Sequence, residues 1–190
     1  MKKIFTFVLA LVATVAVSAQ QEEGTWSIAP KAGINIASLT ESNGGKSLVG
    51  FVGGAEATWQ TSNRVALSAG LFYSQQGMKV EKSDIKEANN YLNIPILTSV
   101  YLCKGLALKA GIQPGFMLSA KAKNNDTSVD MKDGMKTFDF TIPVGISYEF
   151  RNIILDARYN IGLTKTVDIE DIIGSKNSVF MVTLGYKFCL

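Results

Sequence analysis

Eight ionisable side chains stand at the polar positions of runs in which every second residue is apolar. Four are basic and four are acidic: Lys31, Lys109, Arg158 and Lys187, and Glu56, Asp139, Glu149 and Asp156. A carboxylate beside a cation can serve as an acid/base pair or line a path for protons or a ligand, and Glu56 with Arg158 are the first candidates. An uncompensated buried charge is costly, so equal numbers of opposite charges favour a salt-bridged network if these side chains share an interior.

Other kinds of site lack the residues that they need. A serine–histidine hydrolase requires a base whose pKa lies near neutrality, and the chain contains no histidine. The acidic residues Asp126, Asp130 and Asp133, and those at 168–171, are not spaced as in a calcium-binding loop. The sequence therefore predicts no catalytic, cofactor-binding or metal-ligating residue, although an unconventional carboxylate or lysine mechanism stays open.

In the segments that carry the eight charges, apolar and polar residues alternate with a period of two. In FDFTIPVGISYEF, from Phe138 to Phe150, every second residue is apolar or aromatic and those between are polar, charged or small. Such alternation is typical of a strand with two unlike faces. The pattern occurs eight times, at residues 26–36, 49–60, 65–76, 91–102, 106–120, 138–150, 153–164 and 180–188. Strands of roughly 10 to 15 residues are long enough to cross a bilayer at a tilt.

The connections between these runs alternate between short and long. Short turns are predicted at residues 61–63, 104–105 and 151–152, and longer polar connections at about 40–47, 81–90, 123–134 and 167–177. This arrangement is typical of an outer-membrane barrel with both chain termini at the short-turn end. An open sheet edge would leave backbone groups unpaired in hydrocarbon, so the first and eighth strands are expected to pair. The predicted fold is all-β, an eight-stranded antiparallel transmembrane up-and-down β-barrel.

The two faces of the predicted strands differ as expected for a barrel that has lipid outside and a crowded interior. The polar face is rich in glycine and small residues, whereas the other face carries bulky Leu, Ile, Val and Phe. A soluble barrel would turn its apolar face inward instead. Aromatic residues near the strand ends suit membrane interfaces. They are Trp26, Trp59, Tyr148, Phe150, Tyr186 and Phe188 on one rim, and Tyr73, Phe138 and Phe180 towards the other.

The first twenty residues, MKKIFTFVLALVATVAVSAQ, have the features of a secretory signal. Two lysines precede an uncharged run of about 13 residues, which is shorter than the roughly 20 that a spanning helix needs. We therefore predict a signal peptide at 1–19 and one barrel domain at 20–190. The leader holds two of the 19 basic residues, so 17 remain against 16 acidic ones. This near balance gives no basis for nucleic-acid binding.

Four segments carry a resemblance to a known family. They are YLNIPILTSVYL (91–102), GIQPGFMLSAK (111–121), LDARYNIGLT (155–164) and LGYKF (184–188). Together they resemble the small outer-membrane β-barrel family that includes PorT-like proteins. The resemblance implies an eight-stranded barrel in a Gram-negative outer membrane, inserted by the barrel-assembly machinery. Thr183, Gly185, Phe188 and Leu190 resemble the insertion signal of such barrels, with Leu190 in place of the usual final aromatic residue.

Three classes of function follow from this reading. The first is a non-enzymatic integral outer-membrane protein with a side-chain-filled lumen, acting in envelope structure, adhesion or partner binding through outer loops. The resemblance implies a narrower version, an accessory role in protein secretion. The second class is a narrow porin-like or small-solute-binding barrel, and the third is a lipid-modifying enzyme. The expected partners of the first class are outer-membrane lipid, the assembly machinery and an envelope protein.

Overall fold

The computed structural model describes residues 22–40, 45–80, 86–124, 127–130, 137–164 and 176–190. The predicted signal peptide, residues 1–19, lies outside the described residues, as do Asp126, Asp133 and the acidic residues at 168–171. In the described ranges, no helix is long and apolar enough to cross a membrane.

The described residues form eleven β-strands that make one sheet. They are β1 (Trp26–Thr40), β2 (Gly45–Ser62), β3 (Val65–Val80), β4 (Lys86–Asn93), β5 (Ile96–Cys103), β6 (Leu106–Asn124), β7 (Thr127–Asp130), β8 (Phe138–Phe150), β9 (Ile153–Gly162), β10 (Lys176–Tyr186) and β11 (Phe188–Cys189). β4 and β5 continue each other, as do β10 and β11, and β7 pairs only with the far end of β6. The sheet therefore has eight barrel strands, as predicted.

The barrel is closed by pairing of its first and last strands. β1 pairs antiparallel with β2 on one side and with β10 and β11 on the other. Closure satisfies the backbone groups that an open edge would leave unpaired in hydrocarbon. Tight turns lie at Asn63–Arg64, Lys104–Gly105 and Arg151–Asn152, at the same end as the first residue of β1 and the last of β11. Gly105 has a φ of 81°, a backbone conformation that glycine adopts without steric cost.

The alternation of the sequence corresponds to an outer apolar face and an inner polar face. On β8, the Ile142 side chain is 36% exposed and the neighbouring Thr141 only 5%. The same contrast runs along the other strands, where most bulky apolar residues are exposed and many Ser, Asn, Gln and charged residues are buried, although some apolar side chains such as Phe72, Leu97 and Met117 also face inward. The predicted orientation, with the apolar face outside, is confirmed. The buried interior is the lumen of the barrel.

The strands extend further toward the long-loop end than the alternation indicates. β2 begins at Gly45, where the pattern predicts a loop to residue 47, and β4 begins at Lys86 within the predicted loop 81–90. β6 likewise continues to Asn124. Bulges interrupt the ladder in two of these places, between Ser47 and Val52 and at Asn90–Tyr91. A bulge shifts the alternation by one residue, so a strict period of two stops short of the strand end.

Candidate functional site

Five of the eight predicted charges meet at one level of the lumen. β1 supplies Lys31, β2 supplies Glu56, β6 supplies Lys109, and β9 supplies both Asp156 and Arg158. All five face inward because each stands at a polar position of its strand, and all five are buried. We refer to these five residues as the central cluster. The central cluster thereby links the neighbouring strands β1 and β2 with β6 and β9 across the lumen.

Every carboxylate oxygen of the central cluster accepts a hydrogen bond from a cation. Glu56 Oε1 lies 2.7 Å from both Lys31 Nζ and Lys109 Nζ, and Glu56 Oε2 lies 2.6 Å from Arg158 Nη2. Asp156 Oδ1 lies 2.6 Å from Arg158 Nε. Asp156 Oδ2 lies 3.1 Å from Lys31 Nζ, 3.0 Å from Lys109 Nζ and 3.0 Å from Arg158 Nη2. Such charge-assisted bonds are stronger than bonds between neutral groups.

The central cluster carries one more cation than anion. Its three basic groups surround two carboxylates, so its formal charge is +1. Arg158 Nη1 is buried and donates no hydrogen bond within the described residues. The Arg158 guanidinium carbon instead lies 5.7 Å from the centre of the Phe72 ring, and this cation–π contact stabilises the excess charge.

Glycines on neighbouring strands make room for the long cluster side chains. Lys31 pairs across the ladder with Gly54 and Gly185, and Arg158 pairs with Gly145. A Cβ atom on Gly185 would lie 2.6 Å from Lys31 Cγ, and one on Gly145 would lie 2.9 Å from Arg158 Cγ. Both distances are shorter than van der Waals contact. The glycines on the polar face therefore provide the space that the basic side chains fill.

The other three predicted charges lie apart from the central cluster. Glu149 and Lys187 form a buried ion pair towards the short-turn end, where the Tyr101 hydroxyl also donates to Glu149 Oε1 at 3.1 Å. Asp139 is partly buried towards the long-loop end and accepts a hydrogen bond from Thr164. The structure thus divides the eight residues into three groups. The alternation of the sequence predicts whether a side chain faces the lumen or the outside, but not its height along the barrel axis.

The predicted interfacial aromatic residues lie on the outer face. Most are well exposed, Tyr148 less so. At the short-turn rim, Trp26 stacks on Trp59 at 5.9 Å, and the Tyr186 and Phe188 rings lie 4.9 Å apart. Towards the other rim Phe116 packs edge-on against Phe138, whereas Tyr73 and Phe180 stand on β3 and β10. Their anchoring role stays a prediction, and Phe116 is a member that the sequence reading missed.

The C-terminal residues follow the same alternation. Thr183 and Gly185 face the lumen, whereas Phe188 and Leu190 are exposed on the outer face. The Leu190 amide donates to the Trp26 carbonyl oxygen at 2.9 Å, which holds the chain end in the closed sheet. The role of these four residues as an insertion signal stays a prediction. The two cysteines, Cys103 and Cys189, are exposed and form no disulfide.

The arrangement of the central cluster is suited to holding strands together rather than to proton transfer. A general base needs a carboxylate oxygen that can reach a substrate, and here each oxygen is occupied by a cation in a buried position. Within the described residues, no group of three or more Cys, Asp or Glu side chains is placed to hold a metal ion. The contribution of Phe72 was missed by the sequence reading, because no pattern marks an aromatic residue on the polar face.

Comparison with known proteins places the chain in a family. A family model described as outer membrane protein beta-barrel domain matches residues 18–168. Neisserial surface protein A (NspA) has a crystal structure with a TM-score of 0.58 and 15% identity, covering 87% of this chain and 100% of that chain. Ail, the attachment invasion locus protein of Yersinia pestis, crystallised with the heparin analogue sucrose octasulfate, has a TM-score of 0.55 and 15% identity, covering 87% and 99%.

No curated relative matches the sequence. At these identities the two solved structures show the fold that is shared, and the match to the family model covers well over half of the chain. The chain belongs to the outer membrane protein beta-barrel domain family and is a β-barrel protein of the outer membrane.

Proposed function

We propose that this protein is a non-enzymatic barrel with a closed lumen that acts through its outer surface in envelope structure, adhesion or partner binding. The observation that carries the proposal is the central cluster, which joins β1 and β2 to β6 and β9 across the lumen. An eight-stranded barrel is just wide enough for side chains to fill. Because these ion pairs connect opposite walls of the barrel, the lumen side chains serve to hold the strands together.

Solute transport is disfavoured by the same geometry. A selective pore needs a continuous wet path or a ring of like charges. The central cluster instead contains both signs, bonded to one another at 2.6–3.1 Å. A solute would have to separate these buried pairs, which is costly when one partner is left uncompensated.

Enzymatic activity is disfavoured because the buried carboxylates are already paired with cations. Glu56 and Asp156 are the acidic residues nearest the barrel centre, and cations occupy all four of their oxygens. The chain also contains no histidine that could serve as a base. The protein therefore acts by binding rather than by catalysis.

The outer surface is the remaining place for function. Ail is named for attachment and invasion and was crystallised with a heparin analogue. A comparable surface-binding role is part of our proposal here, with outer-membrane lipid and an envelope protein as partners and the barrel-assembly machinery for insertion. A secretion-accessory role, which the PorT-like resemblance implies, is a narrower form of the same proposal.

Planar-bilayer recording tests whether the lumen is closed. The wild-type protein is expected to show no steady conductance. The double variant Glu56→Ala/Lys109→Ala removes one charge of each sign from the central cluster and is expected to conduct. Glu149→Ala/Lys187→Ala removes a matched pair near the barrel end and serves as the control, which should stay silent. Steady conductance of the wild type would contradict the proposal and favour the narrow pore.

A further inference from the structure

A groove on the outer face of the barrel ends at the short-turn rim. It lies on β1, β9 and β10 and has a volume of about 380 Å³, which is in the range of small-molecule sites. Ala32 pairs across the ladder with Leu184, so a short side chain beside a long one leaves a depression. The outward side chains that line the groove are apolar apart from the Tyr186 hydroxyl. They are Pro30, Ala32, Ile153, Leu184 and Tyr186.

The tight turn between β8 and β9 lies at the rim end of this groove. Ile153, the first residue of β9, follows the turn directly and pairs with Tyr186 on β10. The Lys187 amide donates to the Asn152 carbonyl oxygen at 2.7 Å, and Asn152 Nδ2 donates to the Lys187 carbonyl oxygen at 2.9 Å. These two hydrogen bonds hold the turn against the strand that carries Tyr186. Arg151, the other residue of the turn, is therefore next to the groove.

The Arg151 guanidinium lies on the outer side of the barrel. Its central carbon is 5.5 Å from the centre of the Phe150 ring, which is a cation–π contact. The Phe150 side chain is 41% exposed on the outer face, and Phe150 pairs with Ile153 of the groove. Since paired strands lie about 4.8 Å apart, the guanidinium is about one strand away from the groove.

Arg151 has neither a counter-charge nor a relaxed backbone. Among the described residues, no carboxylate forms an ion pair with it. Glu149, the nearest acidic residue in the sequence, pairs with Lys187 in the lumen. Arg151 also has a φ of 55°, a left-handed conformation that is uncommon for a bulky residue and that asparagine adopts more readily. An unpaired cation at a strained position indicates that the charge has a partner outside the chain.

The lipid at this end of the barrel is phospholipid. Barrels of this kind turn their short connections towards the periplasm, and the periplasmic leaflet of the outer membrane consists of phospholipids. Aromatic residues mark the boundary of the hydrocarbon. The exposed Phe150 and Tyr186 rings stand at this boundary, on the last residues of β8 and β10. Arg151 lies one residue beyond it, at the height of the phosphate groups.

We propose that Arg151 and the groove form a binding site for one phospholipid of the periplasmic leaflet. An acyl chain lies in the groove while Arg151 binds the phosphate. Charge complementarity selects this occupant over a second barrel, because a symmetric copy would bring the same cation to the same place. A basic side chain at an anionic surface strengthens binding by about fivefold. The site requires only the barrel and its location, not the closed lumen.

The test measures how strongly the folded protein retains dioleoyl phosphatidylglycerol in detergent micelles, using native mass spectrometry. Dioleoylglycerol, which has the same chains without the phosphate, is the second probe. The wild type is expected to prefer the phospholipid, and Arg151→Asn is expected to bind it about fivefold more weakly. Asparagine suits the left-handed turn, so this variant should fold, as a heat-dependent gel shift verifies. Arg64→Asn removes the same charge from the exposed turn between β2 and β3 and should leave the affinity unchanged.

A second outer groove provides a control for the first. It has a volume of about 490 Å³, includes Ala110, and is separated from the rim by the paired Leu106 and Tyr148. Ala32→Leu fills the first groove and is expected to weaken retention of the phospholipid. Ala110→Leu fills the second groove, which reaches no basic residue of the rim, and should leave retention unchanged.

Several outcomes would overturn the proposal. Equal retention of the two lipids, or an unchanged affinity in folded Arg151→Asn, would show that Arg151 does not bind the phosphate. Equal losses for Arg151→Asn and Arg64→Asn would indicate a general attraction of the rim. An unchanged affinity in Ala32→Leu would exclude the groove, and full displacement by millimolar glycerol 3-phosphate would indicate a site for a soluble phosphate ester. If Arg151→Asn does not fold, insensitivity of wild-type binding to about 0.5 M salt would contradict the proposal.

Discussion

The inner and outer faces of the barrel are held by different kinds of interaction. Inside, each carboxylate of the central cluster has particular cationic partners at 2.6–3.1 Å, and glycines on neighbouring strands provide the space. Outside, bulky apolar residues are exposed to the bilayer and need no particular partner beyond one another. The outer face thus requires only that its side chains be apolar, whereas the inner face requires specific pairs of residues. Substitutions on the two faces should therefore have different effects on stability.

The largest effect is expected from removing one carboxylate of the central cluster. Glu56→Ala leaves Lys31, Lys109 and Arg158 around the single carboxylate of Asp156. Breaking a buried ion pair in this way is expected to lower the free energy of unfolding by about 3–5 kcal/mol. Urea unfolding in lipid vesicles measures the change. Glu56→Gln keeps the shape and should lose less, so equal losses for the two variants would show that shape rather than charge is decisive.

A charge placed on the lipid face tests the outer requirement. Ile142→Arg puts a cation near the middle of the bilayer and is expected to cost about 2–4 kcal/mol. Thr141→Arg adds the same side chain on the neighbouring inward position, where polar groups surround it, and should cost less. The folded fraction of each variant is measured by its heat-dependent gel shift. Equal losses would contradict the assignment of the two faces.

A methyl group tests the tight packing of the inner face. Gly145→Ala would place Cβ 2.4 Å from the Ala157 carbonyl oxygen and 2.9 Å from Arg158 Cγ, so overpacking should cost about 1–3 kcal/mol. The control Gly53→Ala would meet the ring tip of Phe51 at 2.9 Å on the outer face, where the flexible ring can move. Unfolding in vesicles should show a smaller change for Gly53→Ala. A reversed order would mean that the lumen has spare room.

The smallest effect is expected from the aromatic pair at the short-turn rim. Trp26 and Trp59 stack at 5.9 Å with an angle of 13° between their ring planes. A double-mutant cycle with Trp26→Leu and Trp59→Leu is expected to give a coupling free energy of about 0.5–1.5 kcal/mol. A coupling near zero would mean that each ring interacts with lipid independently.

Much of the architecture could be predicted from the sequence because membrane strands obey a strict alternation. The residues from Phe138 to Phe150 show on which side each residue lies, and the turn at Lys104–Gly105 fixes which strands are neighbours. Closure between the first and last strands follows from backbone hydrogen bonding alone. These features depend on local pattern and on general physical chemistry.

The composition of the central cluster could not be predicted, because it depends on register. Lys187 and Lys31 both occupy polar positions, yet only Lys31 reaches Glu56 and Asp156, whereas Lys187 pairs with Glu149. The bulges in β2 and β6 shift the ladder by one residue without any clear signal in the sequence.

The most direct test of the account is the oxygen accessibility of spin labels on β8 in lipid vesicles. Labels are placed at Ile142 or at Thr141 in a chain whose exposed thiols are removed by Cys103→Ser and Cys189→Ser. Oxygen concentrates in hydrocarbon, so the label at position 142 is expected to collide with it far more often than the label at 141. Equal or reversed accessibility, in variants that keep the heat-dependent gel shift, would contradict an apolar face in lipid and a charged face in a closed lumen.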